Sequence, residues 1–312
     1  MKHVLVFGGT GHMGAAIRRH MDPTKYRITR VTRNPKSSDD VHWDGCTLGP
    51  WVDVLDGSDV VINLAGRRVH CRYNEDNLKE MMSSRVVSTQ VLGEAIGRCS
   101  RPPGVWLQAS TATIYAHTFG DANDEATGVM GGNEPDVPKV WNTSIQIAKN
   151  WEEALERAST PTTRKVALRT AIMMGIDKDS AFDIFSRLTR MGLGGRLGSG
   201  KQYVSWVHEL DMVRAMEFII ESELEGPVNI SSPNPLPQAA FAKDLQKAWG
   251  MRFGLPAAPW MISIGAWILN GDSELVMKSR RVVPRRLLDA GLEFMFTEWG
   301  LAARDLAARM RS

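Results

Sequence analysis

His3-Val4-Leu5-Val6-Phe7-Gly8-Gly9-Thr10-Gly11-His12-Met13-Gly14 decides how this chain folds. An apolar strand runs straight into glycines at 8, 11 and 14, and the amphipathic run Ala15-Ala16-Ile17-Arg18-Arg19-His20 follows. A strand, a tight turn and a helix start place backbone N–H groups where a pyrophosphate can rest on the positive end of the helix. In that geometry Gly8 permits the turn, Gly11 lets the phosphate approach, and Gly14 lets helix pack on strand. The spacing predicts a dinucleotide-binding unit at the head of the chain.

Outward from that unit, strand and helix signals alternate. Residues 26–32 read as a strand, and 59–63 as a buried strand ending in a polar residue. A long helix is expected over 74–98, with Leu78, Met81, Met82, Val86, Val91, Leu92 and Ala95 on its apolar side. A strand at 105–109, a helix at 140–158 and a strand at 165–169 follow. This alternation predicts an α/β fold, a Rossmann-type doubly wound parallel sheet. From Ala171 onward it loosens: a helix over 181–191 leads to a glycine cluster at 192–200. Later helices fall near 238–249 and 260–269, and 284–311 reads as helix, turn, helix. The expected organisation is a dinucleotide-binding Rossmann domain over 1–172, with 208–231 returning to it. A smaller, mainly helical C-terminal substrate lobe covers 173–207 and 232–312. Such sheets bind ligands beyond the carboxyl ends of their strands, so Asn63, Ser110 and Arg169 are candidates to face the site.

A net charge of +3 over 312 residues, with no Lys/Arg block, gives no nucleic-acid surface. Three scattered cysteines, Cys46, Cys71 and Cys99, imply neither a disulfide framework nor a metal cage. Met1-Lys2 leads directly into the first strand, so the expectation is a cytoplasmic chain without a secretory leader. The longest apolar run, 257–269, is broken by Pro259 and Ser263 and is shorter than the ~20 residues of a membrane span. A buried or subunit-contact helix is the reading there. The expected partners are a small-molecule substrate and, as an open choice, a second copy or another protein. The histidines lack metal-ligand spacing, and no G-x-S-x-G elbow marks a serine hydrolase. Gly195-Arg196-Leu197-Gly198-Ser199-Gly200-Lys201 imitates a P-loop, yet Gln202 stands where a hydroxyl must meet Mg²⁺. A flexible loop over the substrate pocket is expected instead.

The end of the second strand bears on the cofactor. NAD-selective proteins usually carry an acid there for the ribose hydroxyls, whereas this chain has Thr32-Arg33-Asn34. A guanidinium suits a 2′-phosphate, and Thr32 adds a hydroxyl. NADP(H) is expected over NAD(H).

With Asn63-Leu64-Ala65-Gly66 and Ser110-Thr111-Ala112-Thr113-Ile114-Tyr115 added to the fingerprint, the chain resembles the extended short-chain dehydrogenase/reductases. More narrowly it is similar to an atypical, nucleoside-diphosphate-sugar epimerase-like branch (SulA-type). Marks of that branch run through Trp43-Asp44, Trp151-Glu152, Arg169-Thr170, Gly194-Gly195 and Ser205-Trp206-Val207-His208 to Arg281-Val282-Val283-Pro284. The resemblance implies that Gly8, Thr10, Gly11, Met13 and Gly14 hold the pyrophosphate, with Thr32 and Arg33 at the adenosine phosphate. It implies Leu64 and Ala65 along the ribose and pyrophosphate, Glu80 and Arg85 facing the cofactor, and Met173 near the nicotinamide.

Enzymes of the parent superfamily transfer a proton through a tyrosine whose pKa is lowered by a lysine four residues on. Here Tyr26, Tyr73, Tyr115 and Tyr203 are followed at that distance by Arg30, Asn77, Phe119 and Val207. On the expected helix Lys149 is present, but Ile145 stands in the tyrosine position. The catalytic candidates are therefore Thr111, Lys149 and Tyr115, each with a plain structural alternative. Thr111 is a carbonyl-orienting hydroxyl or a strand-end hydroxyl bonded to local backbone. Lys149 binds ribose or is solvated, and Tyr115 reaches the site or packs in the core. His208 is a surrogate acid or a fold-supporting histidine, before a helix that Asp211 is expected to cap. Two functions follow: an oxidoreductase or epimerase on a small carbonyl, hydroxyl or sugar-nucleotide-like substrate, or a cofactor-binding regulator.

Overall fold

The computed structural model describes the chain apart from residues 70, 72, 135–136, 259–260 and 262–273. Its strands are β1 (Lys2–Phe7), β2 (Tyr26–Thr32), β3 (Val41–His42), β4 (Val60–Asn63), β5 (Val105–Thr111) and β6 (Arg164–Thr170). After the short β7 (Ile172–Met174), β8 (Tyr203–Val204) and β9 (Trp206–His208) comes β10 (Gly226–Ile230). The main sheet has the order β10-β6-β5-β4-β1-β2-β3, with every neighbouring pair parallel. The order turns back between β1 and β4, which opens a crevice at their carboxyl ends.

Strands covered on both faces need apolar side chains throughout, and Val4 to Phe7, Val60 to Ile62 and Val105 to Leu107 are all buried. One face packs on α1 (His12–His20) and α6 (Glu209–Glu221), through Val4, Val6, Ile62 and Leu107 against Ile17, Met216 and Ile219. The other receives α2 (Val52–Leu55), α3 (Glu75–Arg98) and α4 (Lys139–Glu156), with Leu5, Phe7 and Trp106 against Leu55, Leu92, Ala95, Ile96 and Leu155. A separate core gathers α5 (Ala181–Arg190), α7 (Gln238–Trp249) and the C-terminal helix Trp299–Arg309 around Phe182, Trp206, Phe241 and Trp299.

Three sequence expectations change. The helix after β9 is capped by His208, whose Nδ1 accepts from Leu210 N at 3.1 Å. Asp211 sits inside the first turn and instead accepts from Met295 N and Phe296 N, both at 2.8 Å. The middle of α3 turns Arg85, Ser88 and Thr89 inward, where the apolar pattern pointed to Val86. The glycine stretch 192–200 is tied down: Leu197 N donates to Gln238 Oε1 at 2.8 Å and Gly198 N to Ala257 O at 2.8 Å. A Cβ on Gly195 would stand 2.3 Å from Leu255 O, so these glycines serve close packing. The helix expected over 260–269 lies outside the described residues. Among those described, no helix is long and apolar enough to cross a membrane.

One carboxylate joins the first helix to the last. Glu209, wholly buried, meets Arg19 of α1 at 2.6 Å and Arg309 of the C-terminal helix at 2.6 Å. Arg19 also reaches Asp177 at 2.6 Å, and His12 Nε2 meets Lys178 O at 3.2 Å, so α1 is held against the segment that follows β7.

Candidate functional site

The turn after β1 is set by contact. Gly8 has φ +71°, and a Cβ there would stand 2.8 Å from the Ala65 backbone. Gly14 presses on the turn itself, where a Cβ would meet Gly9 O at 2.1 Å. Gly11 differs: among the described residues nothing lies within 4 Å of its Cβ position. Gly11 is also the N-cap of α1 and offers no side chain to cap it, and the first N–H groups of a helix have no partner within the helix. Thr10 is exposed beside it, and Met13 packs partly against the sheet core. A concave turn of backbone donors at a helix start is the chemistry a pyrophosphate requires, and these residues fit it.

Ala65 is placed by a buried amide pair. Asn63 Oδ1 accepts from Ala65 N at 3.0 Å while Asn63 Nδ2 donates to Gln108 Oε1 at 3.0 Å. Leu64 N donates to Phe7 O at 2.8 Å, bringing the segment beside the glycine turn. At the end of β2, Thr32 is buried and its Oγ1 accepts from Asn34 N at 3.4 Å. Arg33 is exposed, whereas Arg30 is spent on Asp40 at 2.8 Å.

Beyond Gly66 the chain meets α3. Glu80 is exposed and pairs with Arg67. Arg85 is buried, donating to Met81 O and Arg67 O at 2.9 Å each, and its guanidinium lies 5.0 Å from the Trp151 ring centre. Burial pulls Arg85 down to about 10, which leaves it charged at neutral pH. Met173 lies half-buried in β7, paired with Val207.

Thr111, Lys149 and Tyr115 each hydrogen-bond to a different group. Thr111 caps a single 3₁₀ turn, its Oγ1 accepting from Thr113 N at 3.1 Å. Lys149 Nζ donates to Gly131 O at 2.7 Å. Tyr115 is buried in a polar network: its hydroxyl donates to Asn229 Oδ1 at 3.0 Å and accepts from Arg169 Nη1 at 2.9 Å. Burial raises the Tyr115 pKa, partly offset by Arg169. Ala148 and Glu152 of α4 meet the end of β5 and the turn after it. Ala148 packs with Ala112, Ile114 and Tyr115, and Glu152 Oε1 accepts from Ser110 Oγ at 2.5 Å. Ile145 and Lys149 lie a step round the helix, where a Cβ on Gly131 would stand 2.7 Å from Ile145 Cδ1.

His208 has both ring nitrogens engaged, Nδ1 at the helix cap and Nε2 with Asp305 Oδ2 at 3.1 Å, and its ring stacks on Phe296. Burial holds it well below the ordinary histidine range, so it supports the fold. Sequence reasoning missed Lys278, a buried lysine whose Nζ donates to Thr113 O at 2.9 Å. Burial and neighbouring Arg280 bring it down to about 8. It arrives from the C-terminal segment, and no local spacing announces that.

A parallel doubly wound sheet with this turn at its switch point defines a dinucleotide-binding α/β protein. More narrowly, the model of the NAD dependent epimerase/dehydratase family matches residues 4–231, and the chain belongs to that family. Human epimerase family protein SDR39U1 is 28% identical over 309 residues, covering 98% of this chain and 99% of that protein. The Bos taurus protein of the same name is 30% identical over 312 residues, covering 98% and 99%. The crystal structure of human SDR39U1 (isoform 2) with NADPH superposes with a TM-score of 0.85 at 27% identity, over 98% of this chain and 99% of that one. UDP-glucose 4-epimerase from Thermotoga maritima shares the fold, with a TM-score of 0.76 at 15% identity over 99% and 98%.

Proposed function

We propose that this chain is an NADP(H)-binding oxidoreductase or epimerase acting on a small carbonyl, hydroxyl or sugar-nucleotide-like substrate. The observation that carries the reading is the Gly8–Gly14 turn, closed against Ala65 and Gly9 yet open above Gly11. Exposed Arg33 at the end of β2 supports the 2′-phosphate, as does the NADPH in the human SDR39U1 crystal structure. Bound in this turn, a nicotinamide cofactor supplies or accepts hydride. Gly8, Thr10, Gly11, Met13 and Gly14 hold the pyrophosphate, Thr32 and Arg33 the adenosine phosphate, and Leu64 and Ala65 the ribose wall. Arg85 brings a positive charge beside the loop that follows Gly66, with Glu80 steadying Arg67, and Met173 borders the reacting ring. Thr111 orients the substrate oxygen, and Lys149 serves the nicotinamide ribose. Residues 1–172 with 208–231 form the dinucleotide-binding unit; 173–207 and 232–312 form the substrate lobe. The free cysteines Cys46, Cys71 and Cys99 support a cytoplasmic setting.

The test is titration of the purified protein with NADPH and NADH, followed by a carbonyl and nucleotide-sugar panel watched at the nicotinamide absorbance. NADPH binding with turnover supports the reading, and absence of NADPH binding overturns it. One observation favours a second reading, a regulator that reports NADPH occupancy to a partner protein. α4 offers no tyrosine: Ile145 is packed on Gly131, and Ser144 donates to Glu274 Oε1 at 2.6 Å. Tight NADPH binding without turnover on any panel member selects it.

A further inference from the structure

Glu152 stands one turn along α4 from Lys149, where several elements meet. Its Oε1 accepts from Ser110 Oγ at 2.5 Å and from Arg169 Nε at 2.9 Å, and its Oε2 accepts from Arg169 Nη2 at 2.7 Å. Arg169 passes the connection to the Tyr115 hydroxyl, which donates to Asn229 Oδ1; Asn229 Nδ2 donates onward to Val283 O at 3.0 Å. Ser110, Arg169, Tyr115 and Asn229 are all buried. One continuous chain of polar contacts therefore joins β5, α4, β6, β10 and the segment around Val283.

Every one of those strands lies on one side of β4. The glycine turn, α1 and Arg33 belong to β1 and β2 on the other side, and the network touches none of them. A bidentate arginine–carboxylate pair fixes direction as well as distance; here Arg169 is buried and Glu152 half-buried. Ser110 is the residue before Thr111, Lys149 is on the same helix as Glu152, and Arg169 is the last residue but one of the strand that leads to Met173. The groups assigned to the nicotinamide half are thus referred to one carboxylate.

We propose that Glu152 is a positioning residue that holds the nicotinamide half of the site in register, independently of the adenosine half. The inference rests on the dinucleotide reading above and deepens it. A role in stability alone makes a different prediction, because it would leave a folded variant with ordinary affinity or weaken both halves together.

The test uses the full chain and two probes: NADPH, and 2′,5′-ADP, which carries the adenosine 2′-phosphate but no nicotinamide. Glu152→Gln keeps the volume and removes the charge; Ser110→Ala keeps the ion pair and cuts only the tie to β5. In Glu152→Gln the NADPH Kd is expected to rise about tenfold, the scale of one charged hydrogen bond, while that of 2′,5′-ADP stays put. Ser110→Ala moves the same way by less, and it decides the question if Glu152→Gln does not fold. Folded variants that bind both probes normally, or lose both equally, overturn the inference. Wild-type protein that binds neither probe overturns the dinucleotide reading itself and this inference with it.

Discussion

Asn63 and Gln108 meet amide to amide beneath the glycine turn, Asn63 Nδ2 donating to Gln108 Oε1 at 3.0 Å with both side chains fully buried. Because Asn63 Oδ1 also holds Ala65 N, the pair fixes the wall against which Gly8 closes. Asn63→Leu takes the acceptor from the Ala65 N–H, while Gln108 Oε1 keeps Trp106 Nε1 as a donor at 3.1 Å. The orphaned N–H is expected to cost about 1–3 kcal/mol. A lower urea midpoint and a raised NADPH Kd should appear together, and a variant with wild-type values for both would show that the pair positions nothing.

Gly11 and Gly14 separate binding from folding. Gly14→Ala forces a Cβ to within 2.1 Å of Gly9 O, so it should disrupt the turn and lower stability. Gly11→Ala meets no atom of the described residues within 4 Å, and its φ of −83° suits any residue. Stability should therefore stay within about 1 kcal/mol of wild type, as exchanging glycine for alanine at an N-cap allows. The added methyl would occupy the space kept for phosphate, and NADPH affinity should fall at least about tenfold. Gly11→Ala protein that binds NADPH normally would place the pyrophosphate elsewhere.

Arg33 is exposed at the end of β2 and is expected to bear on cofactor choice alone. Arg33→Ser should leave the thermal midpoint unchanged. It should weaken NADPH by the worth of a charged hydrogen bond, about 1.5–3 kcal/mol or roughly tenfold to a hundredfold, with NADH nearly unaffected. Equal losses for the two nucleotides would mean that Arg33 does not read the 2′-phosphate.

The parts of the fold legible in the sequence are those encoded by neighbours along the chain. Tyr26–Thr32 and Gln238–Trp249 begin and end where their local patterns do. The first glycine turn is equally local, since strand, turn and helix are contiguous. What local patterns do not carry is a polar residue whose partner is distant in sequence. Arg85 lies on the inward face of α3 because Trp151 of α4 is there to receive it. Tyr115 follows Thr111 by a spacing that suggested the site, but Arg169 and Asn229, over fifty residues away, claim its hydroxyl. Lys149 matches a sequence position, but nothing near it in the chain announces that its Nζ donates to Gly131 O or that Ala148 packs with Ala112, Ile114 and Tyr115. Asp211 looked like a helix cap until Met295 and Phe296, from the far end of the chain, supplied its donors.

Glu209 makes the junction of α1 with the C-terminal helix sensitive to acid. Burial alone would raise its pKa. The hydrogen bond from His20 and the charges of Arg19 and Arg309 outweigh burial and hold it at about 2, below its ordinary 4.5. A carboxylate depressed in the folded state contributes stability that is whole above the unfolded value and is lost as pH falls through the folded one. Two and a half units correspond to about 3 kcal/mol, lost progressively between about pH 5 and pH 2. Glu209→Gln has no charge to lose, so its urea midpoint, lower at neutral pH, should fall less steeply on acidification than that of the wild type. Parallel acid limbs for the two proteins would move the source of acid lability to other carboxylates. If the junction also holds α1 in place for the nucleotide, NADPH added at neutral pH should stabilise Glu209→Gln less than wild type at the same concentration, because linkage scales with affinity for the folded state. Equal stabilisation would confine Glu209 to the packing of the two helices.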